Sequence, residues 1–339
     1  MKTTDWIVCW GLTIFLCASQ DARAANLFDD SRMSTLPPPV YQTIKSVLGS
    51  GRLSELVLTN ENGLPVYEVE MRMRGMDRSF TVATDGSLVA RQVFLKELPP
   101  AVLATVQRES AAGKVASLYW LNTDGDPTYY VEFTKGQQAS WVMVAPDGWV
   151  TSRQVNLEAQ PKPVQAAIRE KLEGRIPTDV ARAVEGDELT FEVTDTVKGR
   201  ERLWIFHADG SVAAEPVALS AVPPPARAAL TRQVTGGRIV YVFNLPNNGS
   251  PLYEVWFVHQ GARHVCTVDA EGRIQSEELP LRELPQPLPS VIQAKAIGRF
   301  IVRIEMLPGE PSATYAVTLR RQDKLEVLRF AADGSLIGK

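Results

Sequence analysis

The sequence predicts an α+β protein built as tandem repeats, each unit one helix plus a four-stranded antiparallel sheet in two layers. Three observations carry this reading. An acidic-Gly pair recurs at Asp85-Gly86, Asp147-Gly148, Asp209-Gly210, Glu271-Gly272 and Asp333-Gly334, always 62 residues apart. Pro37, Pro99, Pro161, Pro223 and Pro285 keep the same step, as do Tyr67, Tyr129, Phe191, Tyr253 and Tyr315 and the unvarying Val69, Val131, Val193, Val255 and Val317. Within each unit the apolar period changes from that of a helix to that of strands. Columns held in step over this distance are the mark of a repeat array, whose units stabilise one another by stacking.

The N-terminus comes first. Lys2, an apolar run from Trp6 through Ala18, and Ala22-Arg23-Ala24 together read as a secretory signal over 1–24, which predicts an exported chain, periplasmic or extracellular. The run is too short for a confident membrane span, so none is expected after cleavage. A polar leader, 25–35, follows. The units are then 36–97, 98–159, 160–221, 222–283 and 284–339. Pro-rich junctions such as Val222-Pro223-Pro224-Pro225 restrict hinge motion and predict a semi-rigid rod or arc.

Inside the unit, proline suits the first helical turn, and Val40/Ile44 recur as Val102/Val106, Val164/Ile168, Ala226/Leu230 and Leu288/Ile292. That spacing predicts one amphipathic helix. Strands follow in the first unit at Leu53–Thr59 and Val66–Met73, joined by the hairpin pair Asn62-Gly63, then at Phe80–Ala83 and, after the Asp85-Gly86 turn, at Leu88–Leu95.

Composition excludes several functions. Lys+Arg 36 against Asp+Glu 39 gives a formal net charge of −3, which lacks the basic surplus of a nucleic-acid binder. Cys9 and Cys17 leave with the signal, so Cys266 has no internal partner. No nucleophile elbow, phosphate loop, zinc-protease helix or dinucleotide fingerprint occurs, so no catalytic residues and no cofactor are expected. With only three His, a metal site is not expected; His259 and His264 read as solvated turn residues, and His207 has no evident partner. Asn122-Thr123-Asp124-Gly125-Asp126 opens like a calcium loop, but Phe133 stands where the closing Glu belongs, and a hairpin turn explains it.

Alignment of the repeats separates core from surface candidates. Trp204 matches Phe80, Val142, Cys266 and Leu328, which assigns Trp204 and Cys266 to the core. Trp149 instead matches Ser87, Ser211, Arg273 and Ser335. Trp256 matches Glu70, Glu132, Thr194 and Thr318; Tyr130 matches Glu68, Glu192 and Glu254; Trp141 matches Ser79. With Tyr119 and Tyr241 on the first strands, these aromatics form a candidate binding patch on the open sheet face, since Trp and Tyr anchor protein interfaces. The competing reading is that neighbouring units cover and bury them.

Leu36-Pro37, Tyr67-Glu68-Val69 and Asp85-Gly86-Ser87-Leu88, with their counterparts, resemble the PepSY-like family and more specifically its β-lactamase-inhibitor-like (BLIP-like) branch, over essentially the whole mature chain. The resemblance implies an exported, non-catalytic module that binds a protein partner of the envelope or extracellular space, a peptidase or other hydrolase among the candidates, through open sheet faces. Five copies instead of one or two set this chain apart. A structural spacer of the cell envelope is the second reading, and an enzyme a distant third. A rod would favour the spacer; a compact arc with one continuous concave sheet would favour the binder.

Overall fold

The computed structural model describes residues 33–61, 64–110, 113–123, 126–136, 138–185, 188–247, 250–259, 262–309, 312–321 and 324–338. The signal segment, the leader up to residue 32, and the turn pairs Asn62-Gly63, Asp124-Gly125 and Gln260-Gly261 lie outside the described residues.

One element order occurs five times: a short 3-10 turn, an α-helix and four strands. The helices are α1 Pro38–Leu48, α2 Pro100–Glu109, α3 Lys162–Lys171, α4 Pro224–Gln233 and α5 Leu288–Lys295. Each has proline in its first turn, where the missing N–H costs nothing. The strands of the first two units are β1 Arg52–Glu61, β2 Leu64–Met73, β3 Met76–Ala83, β4 Leu88–Gln92, β5 Lys114–Thr123, β6 Asp126–Lys135, β7 Gln138–Val144 and β8 Val150–Gln154. The next two contribute β9 Asp179–Glu185, β10 Glu188–Val197, β11 Arg200–His207, β12 Val212–Pro216, β13 Arg238–Leu245, β14 Leu252–His259, β15 Ala262–Asp269 and β16 Ile274–Glu278. The last unit holds β17 Phe300–Leu307, β18 Thr314–Arg321, β19 Lys324–Ala331 and β20 Leu336–Gly338.

The expected α+β organisation, separate two-layer units of one helix and a four-stranded sheet, is corrected by the strand pairing. The fourth strand of each unit pairs antiparallel with the first strand of the next: Ala90↔Leu121, Ser152↔Ala183, Glu215↔Asn244 and Glu277↔Met306. The ladder continues one step further at each junction, where the N–H of Val93, Val155, Val217 and Leu279 donates to the carbonyl of Leu118, Val180, Val242 and Ile304 at 2.9 to 3.0 Å. The protein is therefore predominantly antiparallel sheet, one 20-stranded meander carrying five helices. The physical reason is the edge. A separate four-stranded unit would expose two rows of unpaired backbone groups, whereas fusion satisfies every inner one.

All five helices lie on one face. Val40 and Ile44 pack with Val69, Met71, Phe80 and Val82, and the other units build the same core in place: Val102, Val106, Val131 and Val142; Val164, Ile168, Val193 and Phe206; Leu230, Val255, Cys266 and Val268; Leu288, Ile292, Val317 and Phe330. Burial of such side chains stabilises by roughly 1.5–3 kcal/mol each.

The acidic-Gly column has a packing cause. Gly148 and Gly210 adopt φ +86° and +87°, and a Cβ at either would lie 2.8 Å from the Ala101 carbonyl oxygen or 2.7 Å from that of Pro163. The turn thus presses its backbone onto the first turn of the helix, which Thr105 Oγ1 fastens by donating to the Gly148 carbonyl at 2.7 Å. The acidic partner accepts from the backbone two residues on, as Asp85 Oδ1 does from the Ser87 N–H at 2.8 Å, a turn that Asp favours.

The meander bends back on itself. Arg320 lies on the helix-free side of β18, and its guanidinium donates twice to Asp147 in the β7–β8 turn, at 3.3 Å each, across 173 positions of sequence. The sheet thus curls toward its helix-free face, bringing the second unit against the fifth.

Candidate functional site

The helix-free face is the candidate site, because the pleat turns every second strand residue onto it. In the second unit Tyr119 and Tyr130 lie there, 7% and 6% exposed, with Leu121 and Met143 beside them and half-buried Trp141 packed alongside. The Tyr130 and Trp141 rings are 5.9 Å apart. Tyr130 donates its hydroxyl to Glu132 at 3.0 Å, Ser117 donates to the other Glu132 oxygen, Tyr119 shares a hydrogen bond with Ser79, and the Trp141 indole donates to Asp179. Burial, reinforced by Glu132, pushes the Tyr130 hydroxyl far above its ordinary pKa, and Tyr119 moves the same way.

The fourth unit repeats the theme. Trp256, 3% exposed, meets Phe243 edge-on at 4.8 Å and Tyr241 at 5.8 Å, with Leu203, Ile205 and Val265 closing the group. Tyr241 is half-buried, and burial raises its pKa. Glu254 accepts from the Trp256 indole at 2.6 Å and from Thr267 at 3.1 Å. Burial nonetheless drives its carboxyl up to about 7.

Trp149 sits apart from both groups. It is half-buried in the β7–β8 turn, and the Arg320 guanidinium lies 5.8 Å from its ring and 4.9 Å from Phe300. Of the six candidate aromatics, the structure thus gathers Tyr119, Tyr130 and Trp141 into one cluster and Tyr241 and Trp256 into another, and holds Trp149 between the second and fifth units. All six are buried or half-buried, as in the reading where neighbouring units cover them.

The face is open only in part in the first unit, since Val66, Thr81 and Ala90 on it are buried. Glu55, Val57, Glu68 and Glu70 are exposed there, and Glu55 stands directly opposite Glu70 in the β1–β2 ladder. Partial burial and then the charges of Glu55, Asp77 and Glu68 hold the Glu70 pKa above its ordinary value.

Repeat comparison missed three features. Arg320 falls in a column with Arg72, Thr134, Thr196 and Val258, which points to solvent, yet its side chain is 1% exposed. Asp195 is buried on the helix side beside Trp204, held by Arg202, Arg175 and the Trp204 indole. Burial opposes its charge, but those donors outweigh it and keep its pKa low. The histidines also differ from expectation: His264 is buried and stacked on Phe257 at 5.0 Å, where burial lowers its pKa, His259 is half-buried beside it, and His207 Nδ1 lies 3.6 Å from Glu188. Cys266 is fully buried, which pushes its thiol up to about 12. Among the described residues no group of three or more His, Cys, Asp and Glu side chains could hold a metal ion, and no helix is long and apolar enough to cross a membrane.

No family model matches the chain, and no curated protein matches it. Among solved structures it is similar to a protein of Bacteroides eggerthii, provisionally called periplasmic, at 20% identity over 35% of this chain and 88% of that one, with a TM-score of 0.28. It is also similar to DUF2874 family proteins of Bacteroides uniformis (19% identity, 39% and 96% covered, TM-score 0.28) and Bacteroides ovatus (16% identity, 34% and 84% covered, TM-score 0.27).

Proposed function

We propose that this chain is an exported, non-catalytic protein-binding module of PepSY-like or BLIP-like repeats, which engages a partner through the helix-free face of its sheet. The observation that carries the reading is the contact of Arg320 with Asp147. It bends one continuous sheet into an arc with its helix-free face inward, the shape that favours a binder over the alternative, a cell-envelope spacer. In units two and four this face is occupied by its own aromatic clusters. The partner surface then falls on the part of the first unit where Glu55, Val57, Glu68 and Glu70 are exposed. Inhibition or sequestration of a hydrolase is the finer form of this reading.

Site-specific cross-linking tests it. A photoreactive residue at Val57 on the helix-free face captures one discrete envelope protein, while the same residue at Ile176, 87% exposed elsewhere, does not. Equal labelling from both positions, with small-angle scattering of an extended rod, would return the reading to the spacer.

A further inference from the structure

We propose that the outer edge of β1 receives an extended strand from a partner protein, and that this strand carries a lysine or arginine opposite Val57. This rests on the proposed binding function and names the partner's chemistry. The first strand of every later unit is covered on this edge by the fourth strand of the unit before it, in one register repeated four times. β1 has the same ten-residue length as β5, and among the described residues it pairs with β2 alone.

Shifted back by one repeat, the junction register sets the geometry. The donors of Val93, Val155, Val217 and Leu279 all go to one position, whose counterpart is Leu56. Antiparallel alternation then makes Leu56 and Leu58 the residues whose backbone N–H and C=O face outward. Val57 and Leu58 are 42% and 58% exposed, so both sides of this edge are accessible. An incoming strand there would be added by backbone pairing, with side chains giving specificity.

Two of the four inner junctions show which side chain suits this place, while the other two hold Gln92 with Ser117 and Pro216 with Tyr241. Gln154 pairs with Ala181, the counterpart of Val57, and donates from Nε2 to Asp179, the counterpart of Glu55, at 2.8 Å. At the last junction the same two positions hold Glu278 and Arg303, opposite charges. A residue opposite Val57 is therefore placed to reach Glu55. Glu55 faces Glu70 directly, and Glu68 faces Val57, with no salt bridge to any of the three among the described residues. Like charges directly opposite destabilise a ladder, and a cation added at this edge relieves them.

The test uses the mature chain and a labelled peptide copying Leu88–Glu97, the chain's own edge-covering segment, with Gln92→Lys. Fluorescence anisotropy should show saturable binding. A peptide with Gln92→Glu should bind about tenfold more weakly, since it replaces an attractive cross-strand charge pair by a repulsive one. In the E55K variant that preference should reverse. Leu58→Pro removes one outward N–H and leaves the β2 ladder its bonds, so it should abolish binding with the melting temperature unchanged. Equal binding of both peptides overturns the charge assignment, and binding that survives Leu58→Pro overturns the edge. Binding only after removal of residues 25–32 would assign the edge to the chain's own leader, and a dimer dissolved by Leu58→Pro would assign it to a second copy; either overturns the proposal. If no peptide binds while Val57 still captures a partner, this inference fails and the binding function stands.

Discussion

The Arg320–Asp147 contact can be tested by a double-mutant cycle between Arg320→Met and Asp147→Asn. Arg320 is 1% exposed at its side chain and Asp147 is 32% exposed, so the two substitutions differ in consequence. Methionine keeps the apolar stem against Phe300 and Trp149 but forfeits two charge-assisted hydrogen bonds, about 1.5–3 kcal/mol, and two ring contacts of about 0.5–1 kcal/mol each. The freed Asp147 relaxes into water and retains the Trp149 N–H at 3.0 Å, which keeps the net loss at the low end of that sum, about 2.5 kcal/mol. Asparagine instead leaves a buried guanidinium beside a neutral amide, a cost of about 3 kcal/mol. Urea titration of the four proteins should give a coupling energy of about 1.5–2 kcal/mol, as for other contacting pairs. Small-angle scattering of R320M should show a larger radius of gyration. Coupling below about 0.5 kcal/mol with an unchanged radius would refute the reasoning, because the sheet would then hold its curl without this contact.

Other predictions follow from single sites. The folded-state pKa of Glu254 is raised to about 7 from an ordinary value of 4.5, so the native protein holds a proton that the unfolded chain releases, and stability falls as the pH rises through that window. Glu254→Gln should flatten that slope and gain up to about 3 kcal/mol at pH 8, measured by thermal unfolding against pH; a slope unchanged by the substitution would exclude Glu254 as its source. Gly210→Ala should cost about 2 kcal/mol or more, since strain at φ +87° adds to a clash with the Pro163 carbonyl. Gly199→Ala, at φ +74° with nothing within 4 Å of the new Cβ, should cost only about 1 kcal/mol, and equal losses would discount the helix contact. Cys266 should resist thiol reagents in the native state and react fully in denaturant; rapid native labelling would contradict its burial.

The repeat made the secondary structure legible. Proline at the first helical turn, Val40/Ile44 and their counterparts, and the acidic-Gly turn are local signals, and the helices and strands lie where they point. Fusion of the units was not legible, because edge pairing between β4 and β5 is a backbone interaction that leaves no side-chain signature. The Arg91↔Trp120 and Arg153↔Arg182 positions share little beyond fitting a pleated ladder. Trp256 and Tyr130 were placed on the helix-free face by alternation alone, but their burial depends on curvature accumulated over many strands. Arg320 shows the same limit, since its partner lies three units away and nothing in its own repeat column records the contact.

That three-unit offset constrains how such a chain can change length. Each strand junction uses the same register, so a segment of 62 residues could be gained or lost at either end and leave every remaining ladder intact. A unit inserted or removed between Asp147 and Arg320 would keep the ladders yet put a different turn under the guanidinium, because the pitch of the coil, and not the sequence neighbour, selects the partner. The interior of the array is therefore under a constraint that its N-terminal end escapes, whereas loss of the last unit would remove Arg320 itself, so loss of copies should be confined to the N-terminal side of Asp147.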